Sequence, residues 1–182
     1  MSTTAASVAL STTTASSSTV DTPIGPFTAL VAGDGAVLGS GWTADTDELI
    51  PQIAPSLRPA EVRVLRDLGP VTEAVHAYHR GELAAIDGIP VRQRSGPFLE
   101  RAWEVLRGVA PGEPITYTRF AELSGRPDAV RAAAAACAAN AAALFVPCHR
   151  VRRIGGALGG FRWGLDVKRW LIEHESPRQP GS

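Results

Sequence analysis

Residues 116–139 read TYTRFAELSGRPDAVRAAAAACAA, and the fold of the C-terminal half turns on this stretch. Thr116 to Leu123 has the length and pattern of a short helix, Gly125-Arg126-Pro127 makes a tight corner, and Asp128 to Ala139 forms a second helix. Two short helices joined by a glycine-containing turn are the helix-turn-helix pattern. Ala132 to Ala136 are all alanine, as are Ala138 and Ala139, so the second helix is specified by backbone propensity alone. Its lack of bulk has two readings. Short side chains allow close packing against another element, or close approach to a nucleic-acid groove, with Arg131 as the one long side chain able to reach in.

Downstream, Leu144-Phe145-Val146 reads as a short buried strand or extended run, followed by Pro147-Cys148-His149-Arg150 and a glycine-rich segment from Gly155 to Gly164. Leu165, Val167, Trp170 and Leu171 form the apolar side of a last helix. Upstream, Pro97 opens a helix whose face is Phe98, Ala102, Val105 and Leu106, ending at Gly108. Nearer the N-terminus, Phe27 to Ala32 and Ala36 to Trp42 flank Gly33-Asp34-Gly35 as a β-hairpin. Glu61 to Arg66 alternates as a half-buried strand or forms a short helix, and Val71, Val75 and Tyr78 mark one face of a helix ending at Gly81. Residues 1–21 are Ser/Thr-rich with few large apolar groups, and are expected to be a disordered tail. The organisation is therefore a tail to residue 21, an N-terminal α/β domain over 22–90, a linker at 91–96, a C-terminal domain over 97–176 and a second tail at 177–182.

The 182-residue chain is 45% hydrophobic with formal net charge zero, enough for a buried core and incompatible with wholesale disorder. Two cysteines, Cys137 and Cys148, cannot build a disulfide framework or a four-cysteine zinc site. No run of about 18 apolar residues spans a membrane, and no basic, apolar secretory leader opens the chain, so a cytoplasmic protein with free thiols is expected. The zero charge hides an asymmetry. Residues 1–100 hold 6 basic and 11 acidic side chains and residues 101–182 hold 12 and 7, so the C-terminal half is the one suited to a polyanion. Seventeen of the 18 basic residues are arginine, which favours forked contacts to phosphate or bases.

Cys148 is the candidate nucleophile. A lone cysteine is by default an inert buried hydrophobe. Here His149 and Arg150 follow it directly and Pro147 fixes the entering backbone, so the thiol can be held beside proton-accepting or cationic groups. A histidine base needs an orienting partner, for which Glu175 and His174 on the last helix are candidates.

Asn140 through Val151, ending Val146-Pro147-Cys148-His149-Arg150-Val151, together with Gly159-Gly160-Phe161-Arg162-Trp163-Gly164-Leu165 and Lys168-Arg169-Trp170-Leu171 to Glu175, resembles the methylated-DNA protein-cysteine methyltransferases, the O6-alkylguanine-DNA alkyltransferases. The resemblance runs over roughly residues 22–176 and is dense from Pro97 onward. It implies an α/β N-terminal part with a small antiparallel, ribonuclease H-like sheet, and a mainly helical C-terminal part with a winged-helix-like helix-turn-helix. It also implies repair by direct reversal: Cys148 takes the alkyl group from O6-alkylguanine, with O4-alkylthymine a second possible lesion, and keeps it in a single turnover. His149 would take the thiol proton through a water, Glu175 would orient the imidazole, Tyr117 would donate to N3 of the flipped base, and Asn140 would brace the turn presenting Cys148. Arg131 would fill the space left by the extruded nucleotide. Thr116, Tyr117, Ala132, Ala135, Arg150 and Arg162 would join it at the DNA. Val151, Phe161, Arg162 and Trp163 would form the base pocket. No cofactor or metal is implied, and the partner would be duplex DNA contacted in the minor groove by a monomer.

The individual side chains also have blander readings: Tyr117 as a core aromatic, Arg131 as a solvated cation, Asn140 as a helix C-cap. Their joint spacing to Cys148 favours the functional ones. The chain departs from the family pattern at Ala141, where proline is common, at Phe161, where tyrosine is common, and at Arg152-Arg153-Ile154, a bulkier and more basic turn. These departures bear on the looseness of the acceptor turn and on lesion size. Cys137 reads as structural, and His76 with His79 as a solvated pair lacking further metal ligands. Two other classes are a non-enzymatic binder of alkylated bases, which would not need Cys148, and a thiol hydrolase, which would not need Arg131 or the alanine helix.

Overall fold

The computed structural model describes residues 13–177. Strands β1 (Thr14–Thr22), β2 (Gly25–Ala32), β3 (Val37–Gly41) and β4 (Glu61–Val64) form one sheet in the order β3-β2-β1-β4. β1, β2 and β3 are successive antiparallel neighbours, and β4 joins β1 in parallel, which makes the sheet mixed. The expected hairpin is β2-β3, and Glu61–Val64 takes the strand alternative.

β1 corrects the reading of residues 1–21 as a disordered tail. Thr14–Thr22 lies between two strands, with Ala15, Ser17 and Ser18 buried. Small and polar residues can be buried here because the ladder to both neighbours satisfies the backbone, Ser18 Oγ donates to the Arg66 carbonyl at 3.1 Å, and Thr19 and Thr28 share a hydroxyl hydrogen bond of 2.7 Å. The rest of that tail, residues 1–12, lies outside the described residues, as do residues 178–182 of the C-terminal tail.

Helix α1 (Pro70–His79) buries Val71, Ala74, Val75 and Tyr78 against one face of the sheet. The opposite face packs Ala15, Leu30 and Leu38 on Ile53, within the short 3₁₀ turns over residues 46–57. α2 (Pro97–Arg107) starts at proline and ends at Gly108 as the sequence pattern requires. β5 (Ile115–Thr116) precedes α3 (Tyr117–Leu123), a corner at residues 124–129 and α4 (Val130–Ala138), giving the helix-turn-helix. β6 (Val151–Arg152) pairs in parallel with β5, and α5 (Leu165–Glu175) closes the fold.

The segment at 91–96 is tied to the sheet. Val37 N–H donates to the Pro90 carbonyl at 2.8 Å, Arg92 N–H donates back to Val37 at 2.9 Å, and the Arg92 guanidinium pairs with Asp34. β3 thereby gains partners on its outer edge, which an exposed strand would otherwise leave open. Phe27, Trp42 and Tyr78 share one continuous buried cluster with Trp103, Phe120, Phe145 and Leu171, so the N- and C-terminal parts have a common core.

Leu144–Val146 is buried but is a turn, a departure from the strand or extended run. Leu144 adopts φ 78° and Val146 N–H donates to the Ala142 carbonyl at 2.9 Å. His79 is half-buried and stacked on Trp170 at 5.8 Å, with Nδ1 on the Val75 carbonyl at 2.7 Å, so it is packed and not one of a solvated pair.

A chain beginning at Pro23 should lose cooperative thermal unfolding, because β4 would have no strand to pair with. Circular dichroism melting of that truncation against the full chain distinguishes the central-strand assignment from a dispensable tail, which would leave the transition unchanged.

Candidate active site

The alanines of α4 pack closely on one side of the helix and leave its other side bare. Ala133 and Ala136 are fully buried, and Trp103 Nε1 donates to the Ala136 carbonyl at 2.9 Å, so small residues permit close packing inward. Arg131, Ala134, Ala135, Ala138 and Ala139 face outward and Ala132 is half-exposed, which leaves a flat, nearly side-chain-free ridge. Thr116 caps α3, its Oγ1 accepting from Arg119 N–H at 3.1 Å.

Beside this ridge opens a cleft of about 820 Å³. Tyr117, Arg131, Asn140, Cys148, Phe161, Arg162 and Trp163 all line it. Residues scattered over nearly fifty positions of sequence are thus brought to one wall-and-floor arrangement. Thr116, Ala132 and Ala135 do not line it, and Val151 is fully buried with its side chain in the core, which leaves it a backbone role only. Cys137, read as structural, is half-buried and lines the cleft as well. The basic turn contributes Arg153 and Ile154, the latter 75% exposed at the rim.

The cleft's far wall depends on two close approaches. A Cβ on Gly159 would lie 2.3 Å from Tyr117 Oη, so glycine is required where the phenol meets the loop. A Cβ on Gly41 would lie 2.1 Å from Trp163 Cζ2, so the end of β3 seats the indole that closes the pocket.

Cys148 is 8% exposed at the start of a single 3₁₀ turn over Cys148–Arg150. The preceding turn is docked on β3: Ser40 N–H donates to the Ala141 carbonyl at 2.9 Å and Ser40 Oγ to the Ala143 carbonyl at 2.7 Å. Asn140 braces it, Nδ2 donating to the Val146 carbonyl at 2.8 Å while Oδ1 accepts from Ala142 N–H at 3.0 Å. The helix C-cap is Ala139, one residue earlier.

Behind Cys148, His149 is fully buried and its Nε2 lies 2.9 and 3.0 Å from the two oxygens of Glu175. A carboxylate on Nε2 holds the proton there and leaves Nδ1 with the lone pair. Nδ1 is buried and has no hydrogen-bond partner among the described residues. Glu175, not His174, is therefore the orienting group. His174 gives Nε2 to the Tyr78 carbonyl at 2.7 Å and stacks on Trp170 at 4.4 Å.

Arg150 corrects the expectation of a DNA contact. It is 2% exposed, its Nε and Nη2 donate to Glu175 at 2.9 Å, and Nη1 donates to the Val109 carbonyl at 2.7 Å. A cation this deep must be paired, and the Glu175 carboxylate requires it for the same reason. Tyr78 Oη, from α1, adds a fourth donor at 3.1 Å.

Burial opposes ionisation of Glu175, yet the charges and hydrogen bonds of His149 and Arg150 hold it down to about 2. Burial lowers His149 below its ordinary value despite Glu175, so the imidazole is neutral. Burial also pushes the Cys148 thiol up, opposed by a hydrogen bond from Asn140 and by the charge of Lys168. Tyr117 is pushed up to about 12, chiefly by burial, and so keeps its proton. Lys168, the only lysine in the chain, is 1% exposed, with Nζ 3.4 Å from the Gly159 carbonyl. The apolar stripe expected on α5 does not include it, and Leu165 from that stripe is 47% exposed. The signal that could have singled out Lys168 is its isolation among arginines.

A family model described as the 6-O-methylguanine DNA methyltransferase DNA-binding domain matches residues 97–177. The chain is 34% identical over 165 residues to the methylated-DNA–protein-cysteine methyltransferase of Mycobacterium tuberculosis, covering 89% of this chain and 93% of that protein. This chain belongs to the methylated-DNA–protein-cysteine methyltransferase family. With the bifunctional transcriptional activator and DNA repair enzyme Ada of Escherichia coli it is 42% identical over 91 residues, half of this chain and 26% of that protein. The crystal structure of M. tuberculosis OGT in complex with DNA superposes with a TM-score of 0.72 at 27% identity, covering 88% of this chain and 92% of that one. The family's N-terminal mixed sheet and helical DNA-binding part are both present. Among the described residues there is no group of three or more potential metal ligands, and no helix is long and apolar enough to cross a membrane.

The buried triad sets the acid limit of stability. His149 is neutral when folded but takes up a proton in the unfolded chain below about its ordinary 6.5, so stability falls as pH drops past that value. Glu175 adds stability that is complete above 4.5 and is lost as pH falls toward about 2. Glu175→Gln should remove the lower of these losses and cost about 3–5 kcal/mol at neutral pH by leaving Arg150 unpaired. Denaturant unfolding followed from pH 8 downward checks both limbs; equal pH profiles for the two proteins would sink the assignment.

Proposed function

We propose that this chain repairs O6-alkylguanine in duplex DNA by moving the alkyl group irreversibly to Cys148. The observation that carries the proposal is the buried His149, its Nε2 held by Glu175 and its Nδ1 without a partner among the described residues, directly after Cys148 on a braced turn that lines the cleft. Cys148 Sγ attacks the alkyl carbon, the S–C bond forms and the C–O6 bond breaks. The thiol proton passes by way of a water to His149 Nδ1, because a thiol raised by burial needs a base to become the nucleophile. The developing imidazolium is stabilised by the Glu175 carboxylate, which Arg150 and Tyr78 keep ionised and in place. Tyr117, still protonated at neutral pH, gives its proton to N3 of the departing guanine and is reprotonated through solvent, while His149 releases the proton it took from Cys148. The base thus leaves neutral.

The target atom lies inside the duplex, so the nucleotide must be flipped out, at a cost of a few kcal/mol that is lower for a poorly paired lesion. Arg131, exposed at the mouth of the cleft on a ridge of alanines, fills the vacated space. The ridge suits the minor groove, where only small side chains allow the helix backbone to come close. Arg162 is exposed at the same mouth, with Nη2 held by the Ala138 carbonyl at 2.7 Å. Phe161 and Trp163 close the pocket, and Trp163 limits the size of the alkyl group admitted. A monomer suffices for this geometry. A thioether on Cys148 is a poor leaving group, so one chain repairs one lesion, and a reducing compartment such as the cytoplasm keeps the acceptor thiol ready.

Incubation with duplex DNA carrying O6-methylguanine should add a single methyl group to the Cys148 peptide, read by mass spectrometry. Cys148→Ala should bind the DNA and accept nothing. An unmodified Cys148 in the wild-type protein, with DNA still bound, would favour a base-binding role without chemistry. Arg131→Ala should react with the free alkylated base at the wild-type rate and with duplex at least tenfold more slowly, the loss expected when a flipped base is no longer replaced in the stack. Equal slowing on both substrates would remove the finger role.

A further inference from the structure

We propose that Gln93 is a positioning residue for the acceptor turn, its side-chain amide clamping Asn140 and Ala141 so that Asn140 holds Cys148 in its reactive setting. The inference rests on the reading of Cys148 as the alkyl acceptor.

Gln93 lies in the segment between the two parts of the chain, whose backbone is fixed to β3 through Pro90 and Arg92. Its amide reaches across 47 and 48 residues of sequence to make two hydrogen bonds at once. Nε2 donates to Asn140 Oδ1 at 3.0 Å, and Oε1 accepts from Ala141 N–H at 2.9 Å. Asn140 Nδ2 in turn donates to the Val146 carbonyl, closing the base of the turn that ends at Cys148. Two amides in series therefore connect the sheet-bound segment to the acceptor. In such a chain each hydrogen bond polarises the next, so donation into Asn140 Oδ1 strengthens what its Nδ2 donates.

The Ala141 departure explains why the clamp is needed. Proline there would carry no N–H and would stiffen the backbone by its ring. Alanine restores a donor in a segment that is 3% exposed, and a buried N–H without a partner is costly. Gln93 Oε1 is that partner. The clamp replaces, by hydrogen bonds from another element, the rigidity that a ring would supply covalently. Asn140 is also the side chain whose hydrogen bond opposes the upward push of burial on the Cys148 thiol, so its orientation bears directly on reactivity.

Gln93→Met keeps the side-chain length and removes both hydrogen bonds. Two measurements test it. One is the rate of methyl transfer from O6-methylguanine in duplex DNA. The other is the pH profile of iodoacetamide alkylation counted on the Cys148 peptide, which depends on the thiol alone. The variant should transfer methyl about tenfold more slowly, and its alkylation profile should move to higher pH. Adding Ala141→Pro to Gln93→Met should recover most of both, because the stranded N–H is gone and the ring stiffens the turn. A wild-type rate and profile in Gln93→Met would overturn the proposal. So would a slower rate with an unmoved profile and no recovery by proline, which is the behaviour of a merely structural residue. If Gln93→Met is too unstable to assay, Gln93→Glu keeps the acceptor for Ala141 and sets a carboxylate against Asn140 Oδ1. Its profile should move upward as well, and an unmoved one overturns the proposal. A wild-type protein that accepts no methyl while the profile of Gln93→Met still shifts would sink the transfer function and leave the clamp standing.

Discussion

A carboxylate taken out of water must be met on every side, and the arrangement around Glu175 follows from that requirement. Its oxygens receive His149 Nε2, the Arg150 guanidinium and Tyr78 Oη, from the acceptor turn and from α1. Breaking a buried pair of this kind costs more than the pair contributes, so each partner is held by the others. The imidazole tautomer, the neutral state of the base and the seating of α5 are consequences of one satisfied charge. The same constraint explains why Arg150, adjacent in sequence to Cys148 and His149, faces inward.

The second organising element is the outer edge of β3. An open strand edge invites pairing, and here it is taken up by two segments from elsewhere in the chain, the stretch around Val91 and the turn at Ala141–Ala143. Both are needed at the site, since the first carries Gln93 and the second leads to Cys148. Gly41 at the end of the same strand admits the Trp163 indole. The N-terminal sheet thus serves as the template on which the reactive turn and one wall of the pocket are set.

What was legible in the sequence was local. Cys148, His149, Asn140 and Arg131 lie within eighteen residues of one another on a helix and the turn that follows it, so the family resemblance of that one stretch was enough to group them. The two helices of the helix-turn-helix and the β2-β3 hairpin were legible from local pattern. β1 was not, because a strand flanked on both sides can bury Ala15, Ser17 and Ser18, and such residues imitate a low-complexity tail; its threonines and Val20 were the only β-forming signal. Tyr78 and Gln93 act through partners distant in sequence, and residue type gave no hint that a tyrosine on α1 would meet Glu175. Arg150 was misplaced because adjacency to Cys148 says nothing about which way a guanidinium points.

The contacts that complete the site join residues far apart along the chain: Ser40 to Ala143 spans 103 positions and Tyr78 to Glu175 spans 97. Such pairings come late in folding, since loop-closure entropy must be met before they contribute. Until then Asn140 lacks its clamp, His149 lacks its carboxylate, and the thiol is an ordinary one. On the proposed mechanism reactivity is therefore a property of the finished fold, and a partly folded chain would carry the same cysteine without the chemistry that would consume it.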